Sequence, residues 1–212
     1  MEEGLLFVIS GPDGAGKGTL LKEIHNYLYD RSKKYTHIVT TREPTYGRFG
    51  ARARAMLQSD GDAWSNKEKA TELFIEDRIE HHEQVIFPAV KRGAVVLCDR
   101  ERYDTVAYQS AQGMDTQYLV QRHHDLQREG KLAPVNLAII LEVDVDVAMK
   151  RRLAESEKEK FEDPKFQIEL RSYFRKCPEF FPDTSFAFID ANKPVCDVVS
   201  SVVEHLETIL PY

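Results

Sequence analysis

The apolar run Leu5-Leu6-Phe7-Val8-Ile9 leads into Gly11-Pro12-Asp13-Gly14-Ala15-Gly16-Lys17-Gly18-Thr19, and that into Leu20-Leu21-Lys22-Glu23-Ile24. A buried strand, a glycine-rich turn and a helix start, in that order, wrap backbone amides around a polyphosphate at a helix N-terminus. Gly14 and Gly16 let the chain fold tightly around the anion, and Lys17 supplies a mobile positive charge for the outer phosphates. Gly11, Pro12, Asp13, Gly14, Ala15, Gly16, Lys17, Gly18 and Thr19 are therefore candidate contacts of a nucleoside triphosphate such as ATP. The competing reading is a tight strand-to-helix turn with an incidental lysine. One position is off-pattern: the consensus has Ser or Thr after the lysine, and Gly18 stands there. Without that hydroxyl, Mg²⁺ has to be held through water, the nucleotide and a carboxylate elsewhere, with Thr19 nearer an inner phosphate.

A chain of 212 residues can bury a full core, and 1–212 reads as a single domain or a domain with a mobile insert. A net charge of −6 argues against a general nucleic-acid binder but not against a small anionic ligand, whose site local arginines decide. Three scattered cysteines, Cys98, Cys177 and Cys196, fit reduced thiols better than a disulfide scaffold or a zinc site. Met1-Glu2-Glu3-Gly4 is acidic and lacks the pattern of a signal peptide, and no apolar run reaches membrane-spanning length. The expectation is a soluble, cytoplasmic protein with no membrane partner.

Five short apolar runs, 5–10, 37–41, 94–98, 137–143 and 186–189, recur between segments with helical spacing such as 67–90 and 114–129. Several are apolar throughout, as strands covered on both faces are. The pattern predicts an α/β fold, a doubly wound five-stranded parallel sheet flanked by helices, with ligands at the carboxyl ends of the strands. The segment at about 150–165 is nearly all charged. It reads either as a solvated helix face ending at Pro164, or as a short lid that closes on nucleotide.

The third run delivers Asp99-Arg100 to the sheet edge. Beside a phosphate loop, such an aspartate steers hydrated Mg²⁺ and such an arginine reaches a phosphoryl oxygen with its planar fork. The second run ends Thr41-Arg42-Glu43-Pro44. Phe74 and Arg78, four apart on one helical face, suit stacking on a base and hydrogen bonding to its edge. They suit equally a core Phe beside a surface Arg. The adjacent pairs His81-His82 and His123-His124 diverge on a helix and read as solvent-exposed rather than metal-ligating.

Taken together these motifs resemble those of the thymidylate kinases, over nearly the whole chain. The likeness comprises Gly-Pro-Asp-Gly-Ala-Gly-Lys at 11–17, Thr-Arg-Glu-Pro at 41–44, Leu-Phe-Ile-Glu-Asp-Arg at 73–78 and Asp-Arg at 99–100. It continues with Thr-Val-Ala-Tyr-Gln at 105–109, Leu-Glu-Val-Asp at 141–144 and Ile-Asp-Ala at 189–191. The resemblance implies the P-loop kinase fold and transfer of the ATP γ-phosphoryl group to dTMP, with Mg²⁺ and a homodimer formed through helices beside the third strand.

It further implies that Asp13 contacts the donor–acceptor region, that Phe74 stacks on thymine and that Arg78 reads its edge. Arg100, with Arg42 nearby, holds the acceptor phosphate. Thr105 faces the base, Tyr108 and Gln109 line sugar and base, and Glu43 and Pro44 complete the acceptor side. Ala191 and Asn192 lie near adenine, with Arg151 opposite. Two departures stand out. Glu101 follows Asp99-Arg100 where many relatives have Tyr, and the lid position matching the usual catalytic arginine is Lys160. Because Gly14 fills the loop slot that carries the cation in other members, the resemblance assigns it to the lid, where Lys160, Lys158 and Arg151/Arg152 are the candidates. The alternatives are another nucleoside monophosphate or deoxynucleoside kinase, and a non-catalytic nucleotide-binding regulator.

Overall fold

The computed structural model describes residues 4–31, 37–58, 65–155 and 164–210. Five strands, β1 (Leu5–Ser10), β2 (Ile38–Arg42), β3 (Val95–Asp99), β4 (Leu137–Glu142) and β5 (Ser185–Asp190), form one sheet in the order β2-β3-β1-β4-β5. Every pairing is parallel. The five expected runs are thus all strands, displaced by no more than a residue or so at their ends.

Strand periodicity sends alternate side chains to opposite faces. Leu6, Val8, Val96, Cys98, Ala138 and Ile140 enter one core cluster. Phe7, Ile9, Val95, Leu97, Ile139 and Leu141 enter the other. Two covered faces explain why the central strands are apolar throughout. Both clusters are closed by helices. One receives Leu20, Ile24 and Leu28 of α1 (Lys17–Arg31). The other receives Tyr103 and Val106 from α5 (Arg102–Ala111) and Phe166, Leu170 and Phe174 from α8 (Pro164–Phe180). Each such side chain contributes about 1.5–3 kcal/mol of burial.

The remaining helices are α2 (Arg48–Gln58), α3 (Lys67–His81), α4 (Phe87–Lys91), α6 (Thr116–Arg128), α7 (Val145–Glu155) and α9 (Val195–Glu207). The helical stretch expected over 67–90 is interrupted by a π turn at His82–Ile86. Pro88 has no N–H to return to the preceding turn, and one looser turn accommodates it. The charged segment resolves into α7 and the start of α8. Residues 156–163, which include Lys158 and Lys160, lie outside the described residues.

Four of the motifs singled out from the sequence lie where a strand stops. The phosphate loop follows β1, Arg42-Glu43-Pro44 closes β2, Asp99-Arg100 closes β3, and Ala191 follows β5. The Glu43–Pro44 peptide bond is cis.

Candidate active site

One cavity of ≈ 740 Å³ runs along these strand ends. Asp13 to Thr19 line one part. Phe74, Arg78, Thr105, Tyr108 and Gln109 line another, and Arg42, Asp99 and Arg100 lie on the same wall.

The loop owes its shape to glycines at positive φ: Gly11 (φ 138°), Gly14 (φ 79°) and Gly16 (φ 89°). Gly14 has a second role. A Cβ there would stand 2.5 Å from the Ala148 carbonyl oxygen, so glycine is what lets α7 approach the loop. That approach brings Arg151 into the cavity wall, its Nη1 3.5 Å from the Gly14 oxygen. Gly18 is different, since a Cβ there meets nothing within 4 Å. The missing hydroxyl is therefore not a steric requirement.

Lys17 is buried and folds back on its own loop, donating to the Gly11 and Pro12 carbonyls at 2.9 Å each. Burial, and then Arg100, lower its pKa, against the opposing pull of Asp13, Asp99 and Asp104. Asp99 has one oxygen 3.5 Å from Arg42 Nη2, while its buried Oδ1 has no hydrogen-bond partner among the described residues. An orphaned carboxylate oxygen beside the phosphate loop fits a group that brings hydrated Mg²⁺ to the nucleotide.

Arg100 has φ +69°, a left-handed conformation that costs a non-glycine residue about 1–3 kcal/mol and persists only where the surroundings enforce it. Here its N–H donates to the Ile9 carbonyl (2.9 Å), its guanidinium pairs with Asp13, and Nη1 donates to Asp104 (2.7 Å). The Tyr108 ring lies 5.2 Å below it, and the Tyr108 hydroxyl donates to Asp13 (3.2 Å). Asp104 also accepts from Ser10 Oγ (2.6 Å). The strained turn therefore aims Arg100 between the phosphate loop and α5.

The Phe74–Arg78 pair settles a question that spacing leaves open. Phe74 is partly buried against Ala53, Met56, Ala70 and Leu73, and also lines the cavity. Arg78 is no surface arginine: it is 2% exposed. It donates to Glu43 (2.9 Å), to Thr105 Oγ1 (3.0 Å) and to His123 Nε2 (2.8 Å). Burial alone would lower its pKa, but Glu43 and Glu101 raise it, so it stays charged. Glu43 borders the cavity yet has its carboxylate taken up by Arg78 and by His81 Nδ1 (3.0 Å). It positions Arg78. Gln109 is held to Thr71 Oγ1 (2.8 Å).

Two expectations need correction. Asn192 does not line the cavity: its amide is bonded to Asp144 N (3.0 Å) and Asp190 (2.9 Å), while Ala191 and Lys193 line the wall. The histidine pairs do diverge, but into protein rather than solvent. His81, at the end of α3, and His82, at the start of the π turn, are both buried, His81 reaching Thr41 (2.7 Å) and His82 accepting from Ala133 N (2.9 Å). His123 is fully buried and His124 half-buried.

Glu101, the departure beside Arg100, is fully buried. It caps α5, and its carboxylate takes bonds from Arg102 Nε (2.6 Å) and approaches Arg78 Nε (3.3 Å) and His82 Nε2 (3.3 Å). Burial favours the acid form, but Arg102, His82 and Arg78 together hold its pKa well below the ordinary carboxylate range. The Glu43, His81, His82, Cys98 and Glu101 donor atoms form two clusters close enough to hold a metal, but the cation already among them is Arg78.

Sequence reasoning missed Arg54. It lines the cavity from α2, donates to the Thr45 (3.1 Å) and Pro44 carbonyls, and lies 4.4 Å over the Tyr46 ring. Only the fold reveals it, since nothing local separates Arg54 from Arg48 and Arg52 of the same helix.

A sequence model of the thymidylate kinases matches residues 9–202. The chain belongs to the thymidylate kinase family. It is 33% identical over 211 residues to a thymidylate kinase of Desulfotalea psychrophila, covering 98% of this chain and 96% of the relative. It is 31% identical over 219 residues to a thymidylate kinase of Brachyspira hyodysenteriae, covering 99% and 97%. It is 28% identical over 202 residues to one of Chlamydia caviae, covering 94% and 95%. The parallel sheet, with the phosphate loop after its central strand, is the P-loop kinase fold of this family. Among the described residues, no helix is long and apolar enough to cross a membrane.

Proposed function

We propose that the chain moves the γ-phosphoryl group of ATP to the phosphate of dTMP, giving dTDP and ADP. One observation carries the reading: the phosphate loop and the buried arginine Arg78 line the same cavity as the paired Arg100 and Asp13. An acceptor phosphate oxygen attacks the γ-phosphorus in line, and the bond to the β–γ bridging oxygen breaks as ADP leaves. Such a transfer asks for alignment and charge neutralisation rather than a strong base.

The loop amides and Lys17 hold the donor phosphates. Arg100, with Arg42 and Arg54 nearby, holds the acceptor phosphate, while Asp13 fixes Arg100 and faces the region between donor and acceptor. Asp99 is the residue that would hold Mg²⁺ through water, and the ion would supply positive charge to the donor phosphates. Ala191 and Arg151 flank the adenine side. The cation covering the transferring group comes from the charged segment, with Lys160 as the first candidate. A single kinase domain, a cytoplasmic location and a homodimer beside β3 complete the reading; light scattering tests the last.

Base choice follows from donors and acceptors. Arg78 only donates, so it matches a keto oxygen and opposes an amino group. Phe74 offers a ring face to the pyrimidine. A coupled assay of ADP release with dTMP, dUMP, CMP, GMP and AMP tests this. The expected order is dTMP first and dUMP second, lower by about 10- to 100-fold for one missing methyl. CMP, GMP and AMP should give no significant turnover. A preference for AMP or CMP would contradict the reading.

A further inference from the structure

We infer that His123, on α6 and remote in sequence from every cavity motif, is a positioning residue that fixes the orientation of Arg78 for reading the acceptor base. The inference rests on the assignment of Arg78 as that reader. His123 is fully buried, with Nδ1 2.7 Å from the Leu119 carbonyl oxygen and Nε2 2.8 Å from Arg78 Nη1. A carbonyl only accepts and a guanidinium only donates, so both tautomer and direction are determined. Nδ1 carries the proton, and Nε2 accepts from Arg78. Burial and the adjacent Arg78 charge lower the pKa of His123 to about 3, so the ring stays a neutral acceptor at working pH.

The consequence lies in how the guanidinium is held. Its Nε donates to Glu43, Nη2 donates to Thr105 Oγ1 and Nη1 donates to His123, with the Glu101 carboxylate 3.3 Å from Nε. Three acceptors from three separate parts of the fold thus fix its plane and rotation. Glu101 faces Nε, Glu43 spans Nε and Nη2 (2.7 Å from the latter), and His123 alone among these partners anchors Nη1. Nη1 keeps a second N–H for the base. With the His123 acceptor gone, the buried N–H is left unmet, and the guanidinium is drawn toward Glu43 and Glu101.

Steady-state kinetics on wild type, His123→Phe and His123→Gln, each with a thermal melt, test the inference. His123→Phe keeps a ring but removes the acceptor, whereas His123→Gln places an amide oxygen near the Nε2 position. The expected result is a KM for dTMP raised about tenfold in His123→Phe, the loss of one hydrogen bond to a charged group. The KM for ATP and kcat should stay close to wild type, and His123→Gln should recover most of the loss. An unchanged dTMP KM in folded His123→Phe would overturn the inference. So would equal rises in both KM values, or a His123→Gln variant as impaired as His123→Phe. If the phenylalanine variant shows no cooperative melt, His123→Leu takes its place with the same expected and contrary outcomes. Failure of wild type to turn over dTMP would overturn the base-reading assignment and this inference together. Normal wild-type turnover with an unaffected variant would overturn this inference alone.

Discussion

Lys17→Ala is expected to abolish turnover while leaving dTMP binding nearly intact. Lys17 is the buried cation at the start of α1, held at 2.9 Å by two carbonyls of its own loop. Those bonds keep the ammonium group at the phosphate site before the nucleotide arrives. Removing a preorganised donor of this type costs about 10²- to 10³-fold in kcat. Losing a full charge that meets developing phosphoryl charge belongs at or above the upper end of that range. The acceptor side should be spared because Phe74, Arg78, Thr105 and Gln109 stand on α3 and α5, each held by partners other than Lys17. Calorimetric titration of dTMP into the variant, beside a turnover assay, separates the two effects. Near-normal turnover would remove the phosphate loop from the mechanism.

The second large effect is expected at Arg100. Arg100→Lys keeps the charge but removes the planar fork that now spans Asp13 and Asp104. It also leaves two carboxylates of the site incompletely paired. Loss of one side of such a hydrogen-bonded charge pair costs about 2–5 kcal/mol, or roughly 30- to 4,000-fold in kcat/KM for dTMP. The KM for ATP should change far less, because the loop amides and Lys17 act without Arg100. Kinetics with each substrate varied in turn check the split. A variant that loses affinity for ATP alone would place Arg100 on the donor side.

The parts of this molecule that could be read from its sequence are those with local causes. A β-rich run before glycines and a lysine identifies the phosphate loop from adjacent residues. The five strands follow from apolar runs, because both faces of the sheet are covered. Phe74 and Arg78 could be paired from helical spacing, but spacing could not show that Arg78 is buried. That depends on Glu43, Thr105 and His123, which lie 35, 27 and 45 positions away. The same applies to Glu101. As a residue type it reads as a solvated charge, and only the packing of α3 and the π turn after it against the start of α5 brings Arg78 and His82 to it, beside the adjacent Arg102. Buried histidines are hard to read for a related reason, since their bonds to carbonyls, carboxylates and guanidinium groups leave no periodic trace. Arg54 and the close approach of α7 to Gly14 are likewise tertiary facts.

Buried ion pairs of this kind are costly to desolvate and become strongly destabilising when only one partner is removed, by about 3–5 kcal/mol. Their placement beneath the cavity, on the residues that hold Arg78, ties the stability of this region to the geometry of base reading.

The central claim is that phosphorus moves from ATP to dTMP on this chain. The most direct measurement follows γ-labelled ATP through a single turnover with enzyme in excess, Mg²⁺ and dTMP present, and the products separated. The label should appear as the β-phosphate of dTDP, in step with ADP and dependent on dTMP. Label released as inorganic phosphate at the same rate with and without dTMP, or retained in ATP while dTMP binds, would contradict it.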